Sequence, residues 1–237
     1  MRVLLVEDEI RLAENVAHAL RDGPGFAVDH AEDGQTGLDL AENLCYDLII
    51  LDLMLPKLDG LTVLRRLRER RDSTAVLILT ARSERSSIIQ LLNSGADDYL
   101  SKPFDLGEVI ARAKALIRRG KGMASPALRL GDLELHTGDQ SVFRAGTPIV
   151  LSPMEYRILE YLMHRPRAIV SKRELLEHMY DFNWVHHSNV IEAHVSNLRR
   201  KLGEGTNPPT IENLRNRGYR LVMEHNTTFK EAEDESA

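Results

Sequence analysis

The sequence predicts a doubly wound α/β sheet followed by a smaller α+β unit, and three observations carry that reading. Short unalternated runs rich in Val, Ile and Leu occur at 3–6, 48–51 and 76–79, the pattern of parallel strands buried on both faces. Weaker strand candidates at 26–30 and 98–101 bring the series to five, with segments of helical period between them. Past residue 119 the style changes to short strands, turns and three helices.

The length supports two units. A chain of 237 residues with 43 % hydrophobic and 28 % charged side chains can bury real cores and is expected to divide in two. No apolar run approaches the ~20 residues of a bilayer span, and the run at 3–6 is too brief for a signal peptide, so a cytoplasmic protein without a membrane part is expected. The one cysteine, Cys45, excludes an intrachain disulfide, and the usual zinc spacings are absent. The net charge of −5 is unevenly shared: −4 over residues 1–120 (16 basic, 20 acidic), +2 over 121–225 (14 and 12) and −3 over 226–237 (1 and 4). So small a positive balance in the middle segment does not itself indicate nucleic acid, and the placement of the arginines must decide.

Among the first unit's helices, the one after the fifth strand is the clearest. Leu106, Val109, Ile110, Ala113, Leu116 and Ile117 recur at helical spacing, opened by Asp105 and Glu108 as a capping pair. The small, aperiodic residues 120–126 read as a linker between a domain at 1–119 and another at 127–225, with a disordered acidic tail at 226–237. In the second domain, strands are expected around 128–135 and 141–150, with turns at Thr137-Gly138 and Ala145-Gly146. Two helices open on capping boxes, Ser152 with Glu155 and Ser171 with Glu174. A third runs from about Asn189 to Leu202 and stops at Gly203, and a hairpin follows around Arg215-Asn216-Arg217-Gly218.

In such a sheet, ligands bind beyond the carboxyl ends of the strands. There stand Glu7-Asp8, Asp52, Thr80 and Lys102. Carboxylates gathered so closely need a cation, and Mg²⁺ suits one or two carboxylates together with a phosphate oxygen. Asp52 would then attack a phosphoryl group as a carboxylate nucleophile, with Lys102 neutralising its oxygens and Thr80 donating to one of them. A flavin site is the rival on the same sheet, and the acidic pocket argues against an FMN phosphate. A solvated loop acid or helix cap is the ordinary role of any one of these residues taken singly.

In the last helix, Ile191, Val195, Leu198 and Leu202 share one face. That leaves Asn189, Glu192, Ala193, Ser196, Asn197 and Arg200 free on the other. Arg199-Arg200-Lys201 closes the helix and Arg215 and Arg217 sit in the hairpin, so one surface can meet base edges and phosphates, a winged helix-turn-helix layout. Taken alone, the basic run would merely complement the helix dipole.

These residues carry two resemblances. Val3 to Glu9, Asp52-Leu53-Met54-Leu55-Pro56, Asp59-Gly60, Thr80-Ala81-Arg82 and Gly95 to Phe104 resemble a receiver domain, with its flavodoxin-like five-stranded parallel sheet. Leu151 to Tyr156, Val170 to Leu176, Asn189 to Leu202 and Arg217 to Leu221 resemble the effector domain of OmpR/PhoB-type response regulators. The first resemblance implies that Asp52 is the phosphoacceptor. It makes Asp8, Asp52 and the Met54 carbonyl Mg²⁺ ligands, with Glu7 assisting through water, and Thr80 and Tyr99 a switch pair beside Lys102. It also implies a cis peptide at Lys102-Pro103. By the second, 180–187 is a loop contacting RNA polymerase, with Trp184 its exposed anchor. His186-His187 reads as polar surface.

Together they imply a two-component transcriptional regulator rather than an enzyme. A sensor histidine kinase would donate to Asp52, the receiver would form a homodimer, and promoter DNA with repeated half-sites would be bound. Ile89, Leu92 and Ile110 would centre the dimer, with Asp97, Asp98 and Arg112 around them. Asn189, Ala193, His194, Ser196, Asn197, Arg199, Arg200, Arg215 and Arg217 would face DNA. Ser196 and Asn197 replace the arginines of many relatives, Glu212 stands near the wing, and Ile88 replaces the basic partner usual for Glu108. A constitutive DNA-binding protein whose receiver fold only dimerises is the other reading to be tested.

Overall fold

A computed structural model describes residues 1–81, 89, 91–181, 190–203 and 209–223. Five parallel strands, β1 (Arg2–Val6), β2 (Ala27–Ala31), β3 (Leu48–Asp52), β4 (Ala75–Thr80) and β5 (Asp98–Ser101), form one sheet in the order β2-β1-β3-β4-β5. The three apolar runs are its three central strands, β1, β3 and β4, each buried along its whole length. Burial on both faces is the reason they carry no polar alternation.

The helices α1 (Ile10–Asp22), α2 (Gly34–Asn43), α3 (Gly60–Glu69) and α4 (Leu106–Gly120) cover the sheet. Alternate strand residues feed two cores. Val3, Leu5, Ile50 and Leu77 meet α1 and α4 on one face, and Leu4, Val6, Ile49 and Ile78 meet α3 on the other. The expected capping pair of α4 is not formed. Asp105 accepts from the Gly107 amide at 2.7 Å, while Glu108 turns outward to Arg112 at 2.6 Å.

The second unit opens on a four-stranded antiparallel sheet, β6 (Ala127–Leu130), β7 (Leu133–His136), β8 (Val142–Arg144) and β9 (Thr147–Pro148). The single strand expected around 128–135 is in fact two, because Gly131 takes φ +59° and turns the chain back. Three helices follow, α5 (Pro153–Met163), α6 (Lys172–Met179) and α7 (Val190–Leu202), and then the hairpin β10 (Pro209–Leu214) and β11 (Gly218–Met223). The capping box at Ser152 and Glu155 is complete. That of α6 is half-made: Ser171 accepts from the Glu174 amide at 3.0 Å, but the Glu174 carboxylate instead accepts from the Tyr161 hydroxyl at 2.8 Å. No helix among the described residues is long and apolar enough to cross a membrane.

His164, the C-cap of α5, is buried, and burial lowers its pKa to about 4. The unfolded chain, with an ordinary histidine near 6.5, therefore binds a proton over this interval that the folded chain does not. Stability is expected to fall by up to about 3 kcal/mol as the pH drops from 6.5 to 4. Urea unfolding of the wild type and His164→Gln at pH 7 and 4.5 checks this, the variant losing part of the slope.

Candidate functional site

The strand order reverses between β1 and β3, and their carboxyl ends open one cleft. Glu7, directly after β1, and Asp52, ending β3, are both buried, whereas Asp8 is exposed. Thr80 ends β4, almost fully buried, and its carbonyl accepts from the Lys102 amide at 2.8 Å. Lys102 reaches across the cleft from beyond β5. Its ammonium donates to Glu7 Oε1 and Oε2 at 2.9 and 2.8 Å and to Asp52 Oδ2 at 2.5 Å. The other Asp52 oxygen, Oδ1, accepts from the Met54 amide at 3.1 Å.

Burial works against the Lys102 charge, yet its bonds to Asp52 and Glu7 raise its pKa. Burial also raises Glu7, and the nearby charge of Asp52 adds to this while Lys102 opposes it. The site thus holds two buried acids around one cation. Glu7, Asp8 and Asp52 each bring a carboxylate oxygen within 4.8 Å of the others. Three hard oxygen donors beside an exposed opening are the donor chemistry of a small divalent cation such as Mg²⁺, and the residues present fit it. The Lys102-Pro103 peptide that carries the lysine into place is cis.

The loop after Asp52 is held from two sides. A Cβ on Gly60 would stand 2.0 Å from the Asp52 carbonyl oxygen, so only glycine lets α3 begin against the site. On the other side Asp33, the N-cap of α2, accepts from Lys57 Nζ at 2.6 Å, and this bond draws its carboxyl down to about 2. Nothing in the sequence marks the Asp33–Lys57 pair, because its members are joined only when two loops meet.

Tyr99 is half-buried against the core on the α3 side. Ile89 and Leu92 are exposed, 60 % and 45 %, whereas Ile110 packs inward on the α1 side of the sheet. The charged residues around them pair within the chain, Asp97 with Arg68 at 2.9 Å and Asp98 with Arg112 at 2.7 Å. Glu108 takes Arg112 as well, at 2.6 Å. Ile88 itself lies outside the described residues, as do Arg82, Trp184, His186, His187, Asn189 and the tail at 226–237.

In the second unit, Ile191, Val195, Leu198 and Leu202 are buried as their spacing requires, and Ala193, Ser196, Asn197 and Arg200 are exposed, with His194 intermediate. Arg199 is tied to its own domain, its Nε donating to the Ile211 carbonyl at 2.7 Å. That bond fastens α7 to β10 and removes part of the arginine from the free surface. Arg200 donates to Asn197 Oδ1 at 3.2 Å, so two expected contact residues are preorganised together. Arg215 and Arg217 are exposed at the hairpin tip, and Glu212 is neutralised by Arg220 at 2.6 Å.

The wing root depends on Gly218, with φ +124° and a hypothetical Cβ 2.0 Å from the Val170 carbonyl oxygen. Gly218→Ala is expected to cost about 2–4 kcal/mol in the effector domain. Chemical denaturation followed by tyrosine fluorescence should show the loss.

A buried acid pair bridged by lysine at the switch point of a five-stranded parallel sheet, joined to a helix-turn-helix with a wing, defines a receiver coupled to a DNA-binding domain. Residues 3–114 match the response regulator receiver domain, and residues 146–221 match the C-terminal domain of transcriptional regulatory proteins. The transcriptional activator protein IrlR of Burkholderia pseudomallei is 42 % identical over 223 residues, covering 94 % of this chain and 96 % of IrlR. The transcriptional regulatory protein TrcR of Mycobacterium tuberculosis is 40 % identical over 93 % of this chain and 86 % of its own. The response regulator MprA of a Mycobacterium species is 38 % identical over 93 % and 97 %. The chain belongs to the OmpR/PhoB-type response regulators of two-component systems and is a transcriptional regulator.

Proposed function

We propose that this regulator is a cytoplasmic, phosphorylation-driven switch. A sensor histidine kinase transfers its phosphoryl group to Asp52, the receiver pairs with a second copy, and the paired effector domains bind repeated promoter half-sites and engage RNA polymerase. The observation that carries the reading is the Lys102 bridge between Glu7 and Asp52 beside exposed Asp8, a cluster with no evident packing role.

Asp8, Asp52, the Met54 carbonyl and, through water, Glu7 would hold Mg²⁺. When bound, the ion supplies charge neutralisation of phosphoryl oxygens. The chain's own part is positional. Asp52 presents a carboxylate oxygen at the cleft as nucleophile, and the P–N bond of the donor breaks as the P–O bond to Asp52 forms. Lys102 exchanges carboxylate partners for a phosphoryl oxygen, and Thr80 donates its hydroxyl to another. The phosphorylated arrangement is thereby favoured within an existing equilibrium. Tyr99 follows Thr80, and Ile89 and Leu92 present the apolar centre of the dimer with the Asp97, Asp98 and Arg112 pairs around it. On the effector, Ala193, His194, Ser196, Asn197 and Arg200 face bases, and Arg215 and Arg217 face phosphates.

The test is incubation of the full chain with acetyl phosphate and Mg²⁺, followed by mass spectrometry, sedimentation and DNA binding. A single phosphoryl adduct with a shift to dimer and tighter DNA binding is expected. No adduct, or an adduct with unchanged oligomeric state and DNA affinity, overturns the switch and favours constitutive DNA binding.

A further inference from the structure

The two domains meet at the end of the receiver sheet opposite the acidic cleft. The meeting point is Asp47, which directly precedes β3 as Asp52 ends it, about 16 Å away at the rise of a strand. Its side chain is 1 % exposed. Oδ2 accepts from the Arg2 amide at 2.8 Å, within the receiver, and from His178 Nδ1 at 2.8 Å, at the end of α6 in the effector. Oδ1 lies 2.6 Å from Lys121 Nζ and 3.6 Å from the Arg165 guanidinium of the effector.

The partners are themselves fixed. The His178 ring packs on Tyr161 with centroids 4.7 Å apart, and the Arg165 guanidinium covers the same tyrosine at 3.9 Å. Around this centre Gln140 donates to the Pro24 carbonyl at 3.1 Å, and the apolar core on the α1 side of the sheet runs without a break into the effector core. Burial opposes charge on Asp47, but the His178 bond and the surrounding cations hold its carboxyl well below the usual range. A buried charge so heavily partnered loses much when one partner leaves. Its partners are drawn from both domains and from Lys121, the C-cap of α4.

We propose that Asp47 is an interdomain latch, a carboxylate at the entry end of β3 that holds the effector domain through His178 and Arg165 in one orientation, with Lys121 from the interdomain segment completing its set of cations. The latch leaves the exposed face of α7 uncovered. It therefore governs how the recognition helix is presented, not whether it is accessible. Two effectors fixed to their receivers offer a defined half-site spacing, and two released effectors tolerate several. This last consequence rests on the proposed dimeric DNA binding, whereas the latch itself does not.

Small-angle scattering of the full chain without phosphodonor tests the latch directly. The wild type should scatter as one compact body. The double variant His178→Phe with Lys121→Met, which keeps the ring on Tyr161 but removes two of the cationic partners, should enlarge the radius of gyration by on the order of a fifth, the behaviour of two bodies joined only by the short segment between α4 and β6. Cleavage within 120–126 by a broad-specificity protease should quicken about tenfold, as an opened segment allows. His178→Asn, whose amide can replace the Nδ1 donor, should restore compactness in the presence of Lys121. Asp47→Asn should expand as the double variant does. If it unfolds through loss of the Arg2 tie, seen by circular dichroism, the double variant decides alone. An expanded wild type, or a double variant with unchanged scattering and proteolysis, overturns the latch. Scattering that behaves as expected while spacing tolerance on DNA stays the same leaves the latch standing and removes the dimeric DNA reading.

Discussion

Asp52→Asn is expected to take up no phosphoryl group from acetyl phosphate and Mg²⁺, and to stay at the oligomeric state of the untreated wild type at every donor concentration. The amide has nearly the shape of the carboxylate, so the fold should survive, but it is neither a nucleophile nor an anion. It also breaks the symmetry of the cleft: Lys102 keeps Glu7 but loses the negative partner at 2.5 Å. Intact mass spectrometry reads the uptake, and sedimentation reads the association. An adduct on the variant would place the acceptor elsewhere. Dimerisation of the variant under phosphodonor equal to that of the wild type would disconnect the acceptor from assembly.

Lys102→Ala is expected to slow phosphoryl uptake by about 10²–10³-fold, the usual effect of removing one preorganised donor from a site where charge develops. The same substitution should tighten Mg²⁺ binding. The ammonium now satisfies three carboxylate oxygens on Glu7 and Asp52, and a divalent cation has to share those acids with it. Without the lysine, two buried carboxylates stand unpaired and attract the ion more strongly. Titration calorimetry with Mg²⁺ alone separates this effect from the loss of transfer. Slower uptake with weaker Mg²⁺ binding would mean that Lys102 organises the acids rather than competing for them.

The receiver sheet was legible because the burial of its central strands is recorded in composition. Residues 48–51 are apolar at every position since neither face of β3 meets water, and the acids beyond the strand ends stand out against such runs. The recognition helix was legible for the complementary reason, a single buried stripe at helical spacing. Local signals failed where another partner was available. Glu174 has the right position to close a capping box, but the Tyr161 hydroxyl claims it, and Glu108 goes to Arg112. Gly131 splits one expected strand into two because a positive φ outweighs the apolar pattern on either side of it.

By itself, the sequence determined the two folds, the identity of the acids, hydroxyl and lysine at the strand ends, and the face of α7 that is free, because each follows from periodicity or from position next to a strand. Only the tertiary structure decided that Lys102 bonds both Glu7 and Asp52, that Arg199 serves the wing strand, and that Asp47 gathers groups from both domains. Asp47 and His178 are 131 residues apart, and an acid before a strand and a histidine near a helix end each read as ordinary surface. Their pairing has no period and no spacing. It arises because two separately folded units bury one carboxylate between them, and a buried charge takes its partners from whatever the packing brings within reach.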